Sequence, residues 1–332
     1  MDNGSGGFLE DLIFYGGDIG FFAGNQQFTC RNLTFYNSTT AIYQNWGWVF
    51  NYNNIAIYNA EIGLDMTLGG DVIVVGSLVM QDSIMVNTTV GVMTTFSGNS
   101  TPTSAGTFVM DNVDFVDSPT AVAYPNGTVI LPGNQLVDSW VQGRVYSAYE
   151  AEEVIGNKTC YEPTASYARI QQVVGAPPKP ASLLDANGRF YSRSRPQYEG
   201  VSVDNIKSAK TYGCAGDGVT DDTKCMQNFL DSISTDQIAF FDHGAYVISD
   251  TIQVPSTIRI VGEIWPLIMV DGSSSTFSDA SNPQPAWRVG YAGDVGDVEM
   301  SELCFETLGP APGAIMMEWN VAGTSQGSAG KS

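Results

Sequence analysis

From Phe8 to Tyr124 the chain repeats one short pattern about five times, and no other feature restricts its folding so tightly. Each copy places an apolar residue, one intervening position, a second apolar or aromatic residue, and then a small residue followed by another apolar pair. Leu12-Ile13-Phe14 leads to Gly20-Phe21-Phe22, Leu33-Thr34-Phe35 to Ala41-Ile42-Tyr43, and Ile55-Ala56-Ile57 to Gly63-Leu64-Asp65. In each of these, and in Val113 with Ala121, the small residue follows the first apolar one by 8 positions. The leading residues Leu12, Leu33, Ile55 and Leu78 recur at spacings of 21, 22 and 23. A unit of this length cannot bury its own apolar face, so neighbouring copies must stack into a continuous core. Two short strands per copy, separated by Asn and Gly corners, predict an all-β chain in the form of a parallel β-helix. Leucine-rich repeats share the period, but these copies are rich in Phe, Ile, Tyr, Thr and Asn, which suits strands and corners. Later copies are longer: Gly91 follows Leu78 by 13 residues, and Leu78 to Val113 is 35. Such insertions fall in corner loops, where a solenoid commonly builds its binding face.

Charge narrows the partners. The 332 residues carry 35 acidic and 14 basic side chains, a net charge of −21. That excludes nucleic acid as an expected partner and repels anionic polymers, leaving a neutral or cationic ligand. The 16 Phe, 15 Tyr and 6 Trp can fill a β-helix interior and still leave platforms on the surface. Seven Asn-x-Ser/Thr sequons, at Asn3, Asn32, Asn37, Asn87, Asn99, Asn126 and Asn157, favour a secreted protein. No apolar run approaches the ~20 residues that cross a membrane. Met1-Asp2-Asn3-Gly4 does not begin a signal peptide, so the N-terminus reads as an internal position of a longer precursor.

Of the five cysteines, Cys30, Cys160, Cys214, Cys225 and Cys304, the pair Cys214 and Cys225 is spaced to staple the loop between them, and the spacing fits no zinc pattern. His243 is the only histidine, which rules out a His-rich metal site; it reads as a turn residue leading into a strand. No metal or other cofactor is expected.

The repeats fade after Tyr124, and residues 136–200 read as irregular, with Ala176-Pro177-Pro178-Lys179-Pro180 unable to join a ladder. A new beginning follows. Gly216-Asp217-Gly218-Val219-Thr220-Asp221-Asp222-Thr223 precedes an amphipathic helix over 224–234, with Cys225, Met226, Phe229, Leu230 and Ile233 on its apolar face. Thr220, Asp221 or Asp222 can cap it. Oxygen ligands at alternate positions also suit calcium, but an acidic cap explains Asp217, Asp221 and Asp222 through the helix dipole. Strands are predicted at 238–241, 246–249, 251–254 and 257–261.

The Gly216 to Thr223 run followed by a helix resembles the opening of pectate-lyase-like proteins, in which that helix plugs the end of a right-handed β-helix. More specifically, Gly24-Asn25-Gln26-Gln27-Phe28-Thr29-Cys30-Arg31-Asn32-Leu33-Thr34-Phe35, Asn45-Trp46-Gly47-Trp48 and Gly313-Ala314-Ile315-Met316-Met317-Glu318-Trp319-Asn320 resemble the fungal glycoside hydrolase family 55. These are β-1,3-glucanases built from two tandem right-handed parallel β-helices. The resemblance runs over most of the chain and implies later rungs of the first β-helix over 1–135, a crossover over 136–200, and the capping helix and opening rungs of a truncated second β-helix over 201–332. It implies a secreted, monomeric, exo-acting and inverting hydrolase of neutral β-1,3-glucan.

Inverting glycosidases need a carboxylic acid to protonate the leaving oxygen and a second group to activate water, the carboxyls being about 6.5–9.5 Å apart. The family's cleft lies between its two helices, with the acid on later rungs of the second. That places the acid beyond Ser332, so this polypeptide alone is expected to be inactive. Glu318, interrupting an apolar strand beside Trp319 and Asn320, is the one candidate here; an apolar setting would raise its pKa, whereas an outward strand position would leave it solvated. Gln26, Gln27, Trp46 and Trp48 are the expected sugar contacts, since amides donate to and accept from hydroxyls while indoles pack on sugar faces. The resemblance further implies that Gln26 or Gln27 helps hold the attacking water. An Asn/Gln ladder with core tryptophans accounts for the same residues structurally. Two other functions fit the scaffold, a polysaccharide lyase or polygalacturonase and a non-catalytic glycan-binding β-helix. The first needs calcium or clustered bases, which this acidic chain does not supply.

Overall fold

The computed structural model describes residues 5–70, 72–102, 105–146 and 167–331, with only the backbone of Val145, Tyr146, Tyr167, Ala168 and Lys331. Asn3, Asn157 and Cys160 lie outside the described residues. The chain divides into two compact units, Met1–Phe190 and Tyr191–Ser332, both mostly β.

In the first unit the strands from Phe8–Glu10 to Thr120–Ala123 pair in parallel with those one repeat away, along three ladders. Ile13–Tyr15, Thr34–Tyr36 and Ala56–Tyr58 form the shortest, which continues into the ends of Val75–Val86 and Thr107–Val116. The starts of Ile19–Arg31 and Thr40–Asn53 join Ile62–Met66, Val90–Thr94 and Thr120–Ala123. Phe8–Glu10, the later halves of the two long strands, and the body of Val75–Val86 and Thr107–Val116 make the third. The coarse expectation holds: the pairing is consistent with a parallel β-helix.

The register corrects one reading of the repeat. Leu78 is not a leading residue; it pairs with Phe50 and Phe108. Ser83 takes the place between Ile55 and Val113, 8 residues before Gly91, so the offset holds in every copy. An apolar search misses it because its hydroxyl, though buried, is fully used. Ser83 Oγ accepts from the Ile55 N–H at 3.0 Å and donates to the Gln81 carbonyl at 2.7 Å. The small residue is small for a reason of space: a Cβ on Gly91 would stand 2.3 Å from the Phe115 ring and 2.8 Å from the Ala121 carbonyl.

Two corners flank each short strand, and both need left-handed backbone. Asp11, Asn32, Asn54, Asp82 and Asn112 occupy one, and Asn37, Asn59, Asn87 and Asp117 the other, all with positive φ. Asn and Asp tolerate that region best among residues with a side chain. Their amides also stack, Asn59 donating to Asn37 at 3.0 Å and Asn87 to Asn59 at 2.8 Å.

Residues 136–200 are not irregular throughout. Leu136–Tyr146 lies antiparallel to Thr107–Val116, and Tyr167–Val173 antiparallel to it in turn. Antiparallel strands need no return corner, so they carry no repeat signal; burial of Val137 and Trp140 anchors the first of them. The proline-bearing stretch is ordered against the same unit through Lys179, whose ammonium meets Asp111 at 2.8 Å and sits 4.9 Å from the Phe190 ring centre.

The second unit repeats the parallel scheme on three ladders, one starting at Ile206–Ser208, one at Asp217–Asp221 and one at Ile252–Val254. The predicted strands are present as Ile238–Phe241, Ala245–Ile248, Ile252–Val254 and Ile258–Gly262. The predicted helix is Thr223–Asp231, with Met226, Phe229 and Leu230 fully buried over the core. Cys214 and Cys225 form a disulfide with their Cα atoms 5.4 Å apart.

Candidate functional site

The expected sugar contacts fall on two neighbouring strands of the first unit, Ile19–Arg31 and Thr40–Asn53. Asn25 registers with Gly47 and Gln27 with Val49, which puts Gln26 beside Trp48 one strand spacing away. Trp46 stands opposite Gly24, where the register shifts. Gln27 and Trp48 are exposed, Trp48 by 57%, whereas Gln26 and Trp46 are half-buried. The structure therefore brings all four together at one corner. Longer segments emerge from this corner in the following copies, between Met66 and Val75 and between Thr94 and Thr107.

Behind the corner lies a residue that sequence reasoning passed over. Gln44 is fully buried; its Nε2 donates to the Trp46 carbonyl at 2.8 Å and its Oε1 accepts from the Tyr52 hydroxyl at 2.5 Å. Burial pushes the Tyr52 phenol up, keeping it a donor. Gly47 has to be glycine, because a Cβ would meet the Phe50 ring at 2.9 Å and Gln44 Nε2 at 3.1 Å. Gly76 on the next strand likewise admits the Trp48 carbonyl, which would lie 2.5 Å from a Cβ there. The Trp-Gly-Trp corner is thus fixed by a buried amide beneath it and by backbone on both sides. The signal for Gln44 was a polar residue at the inward parity set by Ile42, surrounded by apolar neighbours.

Glu318 does not have the setting of a proton donor. It lies opposite Arg288, whose Nε stands 3.2 Å from Glu318 Oε1, and it accepts from Asn320 Nδ2 at 2.8 Å. Those partners, Asn320 foremost, hold its carboxyl below the usual range. The acidic loop before the helix is taken up by local donors. Asp217 accepts from the Val219 and Thr220 N–H groups, Asp221 from Thr223 and Ser249, and Asp222, which stands at the helix N-cap position without capping it, from the Ala215 and Gly216 N–H groups of the loop at 2.7 and 2.9 Å. His243 donates its N–H to Glu263 at 3.0 Å in the turn where it was expected.

The second unit also holds a polar groove of about 490 Å³, lined by Tyr191, Arg193, Arg259, Asp297, Glu299 and Gln326 among others. Glu299 is clasped there by Arg193, Arg259 and the Tyr198 hydroxyl. Its members come from separate stretches of the chain, Arg193 and Glu299 being 106 residues apart, and no spacing in the sequence announces them.

A family profile described as rhamnogalacturonase A/epimerase, pectate lyase-like, matches residues 1–65 and 206–323. The chain belongs to this pectate lyase-like family. Within the family, its resemblance to the β-1,3-glucanases of glycoside hydrolase family 55 is upheld by curated relatives. It is 38% identical over 99% of its length to a protein of Arthroderma benhamiae named "Probable glucan endo-1,3-beta-glucosidase", covering 46% of that protein. It is 37% identical over 97% of its length to the glucan 1,3-beta-glucosidase of Cochliobolus carbonum, covering 39% of it. A Penicillium expansum protein named "Non-secreted LysM effector LysM15" is 36% identical over 99% of the chain, which covers 23% of it. The chain thus spans less than half the length of these relatives.

Proposed function

We propose that this chain contributes to a β-1,3-glucan hydrolase and that its own part is to hold the polymer on the Gln26, Gln27, Trp46 and Trp48 corner. The observation that carries this reading is the buried Gln44 brace, which fixes an exposed indole beside amides that can serve sugar hydroxyls. Relatives named as glucan glucosidases supply the substrate class. The net charge of −21 argues for a neutral polymer over a polyuronate. In this reading each unit is a right-handed parallel β-helix, the protein is secreted and monomeric, and hydrolysis proceeds from a chain end by single-displacement inversion, with Gln26 or Gln27 helping to hold the water. We do not assign Glu318 as the proton donor, because Asn320 and Arg288 hold its carboxyl below the usual range.

The test is to pass the purified chain over insoluble β-1,3-glucan and, separately, to incubate it with laminarin. Retention that falls about tenfold in Trp48→Ala, with no glucose released, is expected. Absence of retention would overturn the glucan assignment, and glucose release would return a carboxyl of this chain, Glu318 first, to the role of acid. A second reading, a non-catalytic glycan-binding module, draws on the Penicillium relative named as an effector. Retention by the full-length protein without hydrolysis would favour it.

A further inference from the structure

Three corners stack along one side of the second unit, and the middle one is too long for its place. Phe241 registers with Gly262 and Val261 with Ser301; beyond the corners Ala245 registers with Leu267 and Leu267 with Cys304. The corner before Ala245–Ile248 spans 242–244, the one before Cys304–Leu308 spans 302–303, and the one before Leu267–Asp271 spans 263–266. With its ends pinned in register, the longer corner must loop outward.

What loops out is Ile264 and Trp265, and both are left-handed, with φ of 50° and 58°. For a β-branched and a bulky residue in succession that backbone is costly and persists only where the surroundings enforce it. They do so here. The Glu263 N–H donates to the Phe241 carbonyl at 2.9 Å, Glu263 Oε2 accepts from the His243 N–H at 3.0 Å, and His243 Nδ1 lies 3.3 Å from the Ile264 carbonyl. Pro266 is buried, and a Cβ on Gly262 would meet the Glu302 carbonyl at 2.2 Å. Yet the strain buries nothing, since Ile264 and Trp265 remain 69% and 61% exposed.

The outcome is an indole presented to solvent on a bolted corner, with the exposed Glu263 beside it in sequence and the exposed His243 on the corner stacked against it. An apolar plane on a corner that also carries a carboxylate and an imidazole suits a sugar ring, whose C–H face packs on an indole while its hydroxyls bond to polar side chains. The acidity of the chain disfavours an anionic ligand. Resting on the glucan reading above, we propose that Ile264 and Trp265 form a second contact for neutral β-1,3-glucan, on the other unit from Trp48.

Retention of the whole chain on insoluble β-1,3-glucan tests this, compared across wild type, Trp265→Ala, Trp265→Phe and Trp48→Ala. Trp265→Ala is expected to weaken retention about tenfold, and Trp265→Phe to restore most of it, with thermal stability unchanged in both. Equal retention of wild type and Trp265→Ala would overturn this contact while leaving the Trp48 corner standing. Failure of the wild type to be retained would remove the glucan reading and this contact together. If sedimentation shows that wild type self-associates without glucan and Trp265→Ala does not, the corner is an interface between copies and the proposal is wrong.

Discussion

At the scale of single residues, the corners decide where the chain can turn. Asn and Asp at positive φ recur because their side chains tolerate that backbone and then bond to the equivalent residue one repeat away. Ser83 shows the limit of reading apolar periodicity: the position asks for burial, and a hydroxyl with both a donor and an acceptor partner meets that demand. Replacing it tests the account. Ser83→Ala leaves the Ile55 N–H without its acceptor, and urea unfolding should report a loss of about 1–3 kcal/mol. Among the site residues, Gln26, Gln27, Trp46 and Trp48 were legible because amides and indoles clustered in sequence. Gln44 was not, because its role appears only once the inward parity of its strand is known. Ile264 and Trp265 were equally silent, since nothing in two adjacent residues reveals that the corners above and below them are shorter.

At the scale of elements, the capping helix and its disulfide form one device. Thr223–Asp231 covers the core with Met226, Phe229 and Leu230, and the Cys214–Cys225 bridge ties the helix to the loop that precedes it. Closing a loop of 11 residues removes disorder from the unfolded chain worth about 3 kcal/mol. Cys225→Ser should therefore raise hydrogen exchange across 206–331 while that of 8–146 stays as it was. The loop also sets an acid limit. Hydrogen bonds from the Thr220 and Val219 N–H groups hold Asp217 below its ordinary 3.8. At Asp221, burial pushes upward, but the Ser249 and Thr223 donors outweigh it and leave the carboxyl low as well. A carboxyl depressed by folding stabilises above its unfolded value, and that contribution is lost as pH falls through the folded one. The urea midpoint should hold steady above about pH 5 and decline from about pH 4 downward, the decline shrinking in Asp217→Asn.

At the scale of the whole molecule, the β class, the repeat and the second beginning near Gly216 were open to reading, because stacked parallel strands impose spacing on the sequence. Leu136–Tyr146 and Tyr167–Val173 were hidden for the converse reason, being antiparallel and so free of any period. Successive copies in the first unit lengthen through the registers Ile13 with Thr34, Thr34 with Ala56, Ala56 with Ile84 and Ile84 with Asp114. Nearly all of that growth enters at a single corner, the one that carries Trp46 and Trp48. The other two corners therefore keep their length from copy to copy while this one is free to vary. Loop closure adds only about 0.6 kcal/mol for each doubling of length. Peptides grafted around residues 68–70 should leave the strand registers intact, so that new recognition chemistry can be laid on this framework without renegotiating its interior.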